Sequence, residues 1–304
     1  MLAAALASLA GPAAAATAPP ATLAAVPPAR LATAPPGALV AGDAAWARRA
    51  EGAKGDRAES GPVSEAIAAY EAVIAAEPER LEAIWKLLRA LHFKAEFTRM
   101  PPAQRARIWE RGSELADRAV ALLHGGDRSW HDRVPEEAAA AIEDRSLGAA
   151  VHFWAAVHWG LWGETKGALP AVRKGIAKVI RDHARLAITL DESYERGGPR
   201  RLLGRLHVVA PRVPLVTGWV DHDEGLRHLE RAVELAPADP WNRLYLAEAT
   251  LDLRPSARNR AIAELEAVVA AEPDPEHVVE DSRAQSLARA ALAHARRDRS
   301  GAKR

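Results

Sequence analysis

The chain contains no cysteine, and only three Phe, three Tyr and two Met occur among its 304 residues. Without thiols there is no disulfide framework, thiolate zinc site, iron–sulfur cluster, catalytic thiol or cysteine-borne lipid anchor. Excess charge is missing too. Lys and Arg number 41 against 40 Asp and Glu, a net of +1, so no global field draws the chain to nucleic acid. Alternating β-branched and polar residues are almost absent after residue 42, which argues against a sheet. The spacings GxxxxGK[ST], GxGxxG, GxSxG and HExxH do not occur. Gly197-Gly198-Pro199 therefore reads as a turn between helices. Ser129, His131 and Asp132 have triad residue types without a triad's setting. In Asp221-His222-Asp223 with His228, adjacent helical positions point apart. No metal, no cofactor and no enzymatic reaction is expected.

What is abundant is alanine, 70 residues, within a chain that is 49% hydrophobic and 27% charged. That is enough apolar material for a core. The first 41 residues hold 18 of those Ala and seven of the 21 Pro, and the first basic residue is Arg30. Residues 1–16 read as an export signal, an apolar run ending in small residues at Ala14, Ala15 and Ala16, too short to span a bilayer. An export signal normally opens with Lys or Arg, so the true start lies upstream or the segment is a low-complexity tail. Residues 17–42 alternate Ala and Pro and read as a disordered, semi-rigid tether. The folded domain is expected over 43–300, with a periplasmic location if the signal is real and a cytoplasmic one otherwise. No transmembrane helix is expected in the mature chain.

Three segments repeat one arrangement: a small residue, a large apolar one four later, a small or branched one three later, then Pro after five. They are Ala66, Tyr70, Val73, Pro78; Gly225, Leu229, Ala232, Pro237; and Ala261, Leu265, Val268, Pro273. Offsets of 0, +4 and +7 share one helical face, and the small residue lets a neighbouring helix approach. The Pro ends the helix and fixes the turn. Leu203-Gly204 and Leu246-Ala247 place a large residue beside a small one on the partner helices. Between residues 86 and 198 the units are degenerate and longer. One helix starts after Pro101 and Pro102, and a second is expected to run from Pro135 to about Gly163.

These positions resemble the signature of tetratricopeptide repeats, which implies an all-α solenoid of helical hairpins. Within it, HFWAAVHWGLWGETKG (152–167) and YERGGPRRLLGRLHVVAP through LAPADPWNRLYLAEATL (194–251) resemble the T component of tripartite ATP-independent periplasmic (TRAP) transporters. The resemblance covers roughly residues 60–275. It implies association with the periplasmic substrate-binding subunit, homo-oligomerisation and a role in taking up organic acids or other small hydrophobic ligands. Members of the family are often anchored through a lipid-modified cysteine, which is lacking here. The alternative is a generic tetratricopeptide scaffold for protein–protein interaction.

Trp154, His158, Leu161 and Trp162 fall within about 100° of one another on a helix of 3.6 residues per turn, and Trp159 about 140° from Trp154. The first set reads either as one wall of an apolar pocket or as core with a satisfied imidazole. The candidate ligand- or partner-binding residues are Trp154, His158, Trp159, Trp162, Arg200, Arg205 and Trp219. The arginines are chosen because guanidinium pairs a carboxylate bidentately. Lys174, Lys178, Arg181 and Arg185 form a basic stripe that a carboxylate, an acidic partner or lipid headgroups could use, or that simply stays solvated.

Overall fold

A computed structural model describes residues 37–214 and 216–301, apart from the side chains of 298–301. The export signal at 1–16 and the tether over 17–36 lie outside the described residues. Thirteen α-helices and no strand occur among the described residues: α1 (Ala38–Ala47), α2 (Ser60–Ala76), α3 (Leu81–Phe97), α4 (Pro102–Leu123), α5 (Pro135–Ala140), α6 (Arg145–Lys166), α7 (Ala168–Arg173), α8 (Ile176–Asp191), α9 (Tyr194–Val209), α10 (His222–Leu235), α11 (Pro240–Leu253), α12 (Arg258–Ala270) and α13 (Val278–Gly301).

Helix boundaries follow local chemistry. The Asp221 carboxylate accepts from the backbone N–H groups of Asp223 and Glu224, and Asp239 accepts from that of Asn242. These caps satisfy donors that the first turn leaves unpaired. Pro102, Pro135 and Pro240 occupy the first turn, where no N–H is needed. Pro78, Pro237 and Pro273 follow α2, α10 and α12, the stops that the repeat pattern foretold. Two expectations need correction. The helix expected from Pro135 to Gly163 is two helices, because the Asp144 side chain accepts from the Leu147 N–H and caps a new one. The first helix begins at Ala38, inside the segment expected to be tether, where Gly42 packs against the Tyr70 ring.

Helices α3, α6, α9, α11 and α13 form an inner layer. Between consecutive members lie α4, α8, α10 and α12, each packed on both neighbours, so the expected stack of helical hairpins is present. The inner helices also touch one another in order, and α13 touches α3, which closes the superhelix on itself. The seam is polar at its edge and apolar inside. Arg49 Nε lies 2.9 Å from Glu280 Oε1, Arg283 Nη1 2.8 Å from Asp56 Oδ2, and the Trp241 indole donates to the Glu280 carbonyl at 3.1 Å. Beneath them Val279 joins the core cluster of Tyr70, Leu87 and Phe93.

The repeat residues do what their sizes suggest. Ala66, Tyr70, Val73, Leu203, Leu229, Ala232, Ala247, Ala261, Leu265 and Val268 are all buried. Leu246 is only half-buried and packs toward α10, while Leu244, two residues earlier, is the fully buried knob. Backbones approach closely where α9 crosses α10. A methyl at Gly204 would fall 2.9 Å from the Gly225 carbonyl oxygen and 2.8 Å from Leu229 Cγ. Backbone there cannot retreat without parting the helices. Gly204→Ala is expected to lower stability by about 1–3 kcal/mol, the usual range for overpacking. Gly61→Ala, which opens onto empty space, should be neutral or slightly stabilising. Parallel denaturant titrations of the two variants measure the contrast.

Candidate functional site

Closure of the inner layer leaves a cavity of ≈ 240 Å³ at its centre. Helix α3 contributes Arg89, His92, Phe93, Glu96 and Phe97. Helix α6 adds Phe153, Trp154 and Leu161, α9 adds Arg196, Arg201 and Arg205, and α11 adds Trp241 and Tyr245. Trp46 and Arg49 come from the first hairpin and Glu280 from α13. One part of the wall is aromatic and another is guanidinium. Several arginines are already engaged. Arg49 pairs with Glu280, and Arg205 Nη2 lies 3.0 Å from Glu248 Oε2 with its guanidinium carbon 4.7 Å from the Tyr245 ring centre.

Two arginines keep donors in reserve. Arg89 makes no ion pair among the described residues; its guanidinium lies 4.1 Å over Trp46 and 5.0 Å over Trp85. The Nε groups of Arg89 and Arg205 are both buried without a hydrogen-bond partner. A buried unsatisfied donor costs about 1–3 kcal/mol, which an anion seated between the aromatic walls would relieve. The acids nearby are pushed toward neutrality. Burial raises the Glu96 carboxyl, and burial together with the Glu96 charge raises Glu164 to about 7, with Arg205 pulling the other way.

The α9 arginines are held by an unusual turn. Glu195, Arg196 and Gly197 all have left-handed backbone, with φ of 48°, 57° and 80°. The two non-glycine residues cost about 1–2 kcal/mol each. What holds them is the Arg196 side chain, 2.9 Å from Asp239 Oδ2 on one side and 3.1 Å from Asp281 Oδ1 on the other. Asn242 Nδ2 also donates to the Arg196 carbonyl at 2.9 Å. One residue thus ties α9 to α11 and α13. The turn expected at Gly197-Gly198-Pro199 is thus displaced to Glu195–Gly197, and Gly198 and Pro199 already belong to the helix that follows the kink.

The candidate residues do not converge. Trp154 and Arg205 line the cavity, Trp154 donating its indole N–H to the Tyr194 hydroxyl at 3.0 Å. His158 turns away: its Nε2–H donates to the Leu88 carbonyl at 2.9 Å inside the core. Trp159 and Trp162 pack edge to face on the opposite side of α6, Trp159 donating to Asp117 at 2.8 Å. Trp219 packs on His207 beneath Arg181. Arg200 pairs with Glu192 at 2.8 Å. The face of α3 carrying Arg89, His92, Phe93, Glu96 and Phe97 was not singled out, although its spacing of 3, 1, 3 and 1 marks a single stripe mixing charge with aromatics.

A second polar cluster lies off the cavity. His124 Nε2 meets His152 Nε2 at 3.1 Å, and His152 Nδ1 meets His183 Nδ1 at 2.8 Å, with the Trp130 ring packed on all three. Each contact needs a neutral acceptor nitrogen, and with all three rings neutral His152 donates through one nitrogen and accepts through the other. Burial enforces that state, lowering His183 to about 3 and His152 well below its ordinary range. Among the described residues no group of three or more His, Asp or Glu is placed to hold a metal ion.

No protein-family model matches the chain, and no curated protein matches it in sequence.

The buried imidazoles give stability a pH dependence. In the unfolded chain they protonate below about 6.5, whereas His183, His92 and His158 do so in the folded state only near 3, 3 and 4. Their contribution is therefore complete above pH 6.5 and is lost progressively as pH falls toward 4, by about 2 kcal/mol per histidine at pH 5. Glu164, raised, acts with the opposite sign over pH 7 to 4.5. The measurement is thus a difference: urea midpoints at pH 7.5 and 5.0, for the parent and for His152→Gln/His183→Gln. The double variant should show the smaller drop.

Proposed function

We propose that this chain is a non-enzymatic binding protein whose central cavity takes a small amphipathic anion, an apolar body with a carboxylate, as an accessory T-type component of a TRAP-type transporter in the periplasm. The observation that carries the ligand reading is the pairing of unsatisfied Arg89 and Arg205 Nε donors with aromatic walls in one cavity. Aromatic rings take up the apolar body, and guanidinium takes the charged end bidentately. The transporter assignment rests on the sequence resemblance over 152–167 and 194–251, and the protein partner it implies is the substrate-binding subunit.

A second reading, a generic repeat scaffold, has its own support. A groove of ≈ 370 Å³ runs between α10, α11 and α12, with Arg227, Arg254 and Arg260 interspersed with Asp223, Glu230 and Glu264. Mixed charge of that kind suits an extended peptide. The two readings separate by experiment. Medium-chain carboxylates should quench the fluorescence of Trp46, Trp154 or Trp241 saturably, and Arg89→Ala and Arg205→Ala should each weaken binding by about tenfold or more while folding persists. Loss of no affinity in either variant would sink the ligand reading. Co-purification of a substrate-binding subunit encoded beside this chain tests the transporter assignment separately.

Protonation should tune the same site. Below pH 7 Glu164 is neutral and one negative charge near Arg205 is removed, whereas above it the carboxylate adds to Glu248 in competing for that guanidinium. Carboxylate affinity is expected to be higher at pH 6 than at pH 8, and Glu164→Gln should flatten that difference in the same fluorescence titration.

A further inference from the structure

At one end of the molecule two connections project from the fold. The first is α7 with its flanks, joining α6 to α8. The second is the loop 210–221 joining α9 to α10. One core cluster anchors both, with Trp162, Ile176, Ile180, Ala210 and Val220 buried together and Ala171 and Trp219 packed against them. Beyond that cluster the tips are apolar and exposed: Leu169 61%, Val172 53%, Val213 40% and Val216 44%. They include four of the six large hydrophobic residues that stand exposed among the described residues. Apolar exposure concentrated on one rim marks an interaction surface rather than scatter.

The charge of the rim identifies the partner. From Thr165 to Arg181 the chain carries Lys166, Arg173, Lys174, Lys178 and Arg181 and no carboxylate. Lys166 is partnered by Glu110, and Lys178 and Arg181 by Asp182. Arg173, Lys174 and, on the second loop, Arg212 make no ion pair among the described residues. The Lys174 amine is braced over the rings of Trp159 and Trp162 at 4.7 and 4.9 Å.

We propose that this rim docks the protein on an anionic phospholipid surface, with Leu169, Val172, Val213 and Val216 entering the headgroup boundary and Arg173, Lys174 and Arg212 meeting the phosphates. Separate convex tips fit a deformable interface, where an apolar groove on a rigid partner would demand a single continuous ridge. A second copy seated on the same rim through a two-fold axis would bring like cations face to face. Among the described residues no helix is long and apolar enough to cross a membrane, so the contact is with the surface. This inference is independent of what the cavity holds.

The experiment is sedimentation of the full chain with vesicles of phosphatidylcholine alone and of phosphatidylcholine mixed equally with phosphatidylglycerol. Binding is expected only to the mixed vesicles and should fall as salt is raised. Leu169→Asp/Val172→Asp and, separately, Arg173→Glu/Lys174→Glu should each lower it by about tenfold or more. Both pairs lie at exposed positions, and unchanged melting temperatures confirm that folding is intact. Failure to bind phosphatidylglycerol vesicles, or binding that neither pair alters, would overturn the proposal. So would a change of sedimentation mass in the Leu169→Asp/Val172→Asp variant without lipid, which would assign the rim to contacts between copies.

Discussion

The contact of α13 with α3 and the first hairpin is the constraint on which the interior depends. A stack of helical hairpins is open by construction, because each unit buries its face only against its neighbours. Here the turn per unit brings the last helix back to the first. Val279 enters the cluster of Tyr70 and Phe93, and the Arg49–Glu280 pair, 231 residues apart in sequence, seals the edge. Closure turns a concave groove into a ringed cavity, still partly open to solvent, across which the side chains of α3, α6, α9 and α11 face one another. The Nε donors of Arg89 and Arg205 are buried in its wall.

Enclosure also explains the strained entry to α9. The arginines of this helix must point inward from its first turn, which the left-handed Glu195–Gly197 segment achieves by reversing the chain within three residues. The unfavourable backbone is over-determined by Arg196, whose side chain binds carboxylates of both α11 and α13. The same ion pairs that hold the turn also fix α13, the helix that carries one side of the seam. Strain at the site and closure of the ring are therefore one arrangement, and loosening either should loosen both.

The helical class and the hairpin module were legible because they rest on local chemistry. Small residues four positions before a large one, and Pro beyond the helix end, foretell Ala66–Tyr70–Pro78 or Gly225–Leu229–Pro237 whatever the distant chain does. The split of α5 from α6 was hidden in a single capping aspartate, Asp144, within a run of otherwise favourable helix formers. The cavity was hardly legible at all. Its wall is assembled from elements spread along the chain, and no periodicity within one helix reveals which of its faces meets the others. Trp154, Trp159 and Trp162 illustrate this: Trp162 was grouped with Trp154, yet it packs on Trp159, and only Trp154 reaches the cavity.

The functional polar groups are also distributed in a way that follows from the degeneracy of the middle of the chain. Where the repeat signature is intact, α2, α10 and α12 carry only apolar residues at the buried positions, and these helices supply scaffold. Where it lapses, between residues 86 and 198, α3, α6 and α8 bury His92, His152, His158, His183 and Glu96 instead. A regular repeat tolerates few such groups, since each needs a partner placed by its particular neighbours and not by a period. Loss of the repeat signature and gain of buried titratable chemistry are then two views of one substitution pattern. It places His92 and Glu96 on the cavity wall and His152, His158 and His183 in the packing between helices of the least regular units.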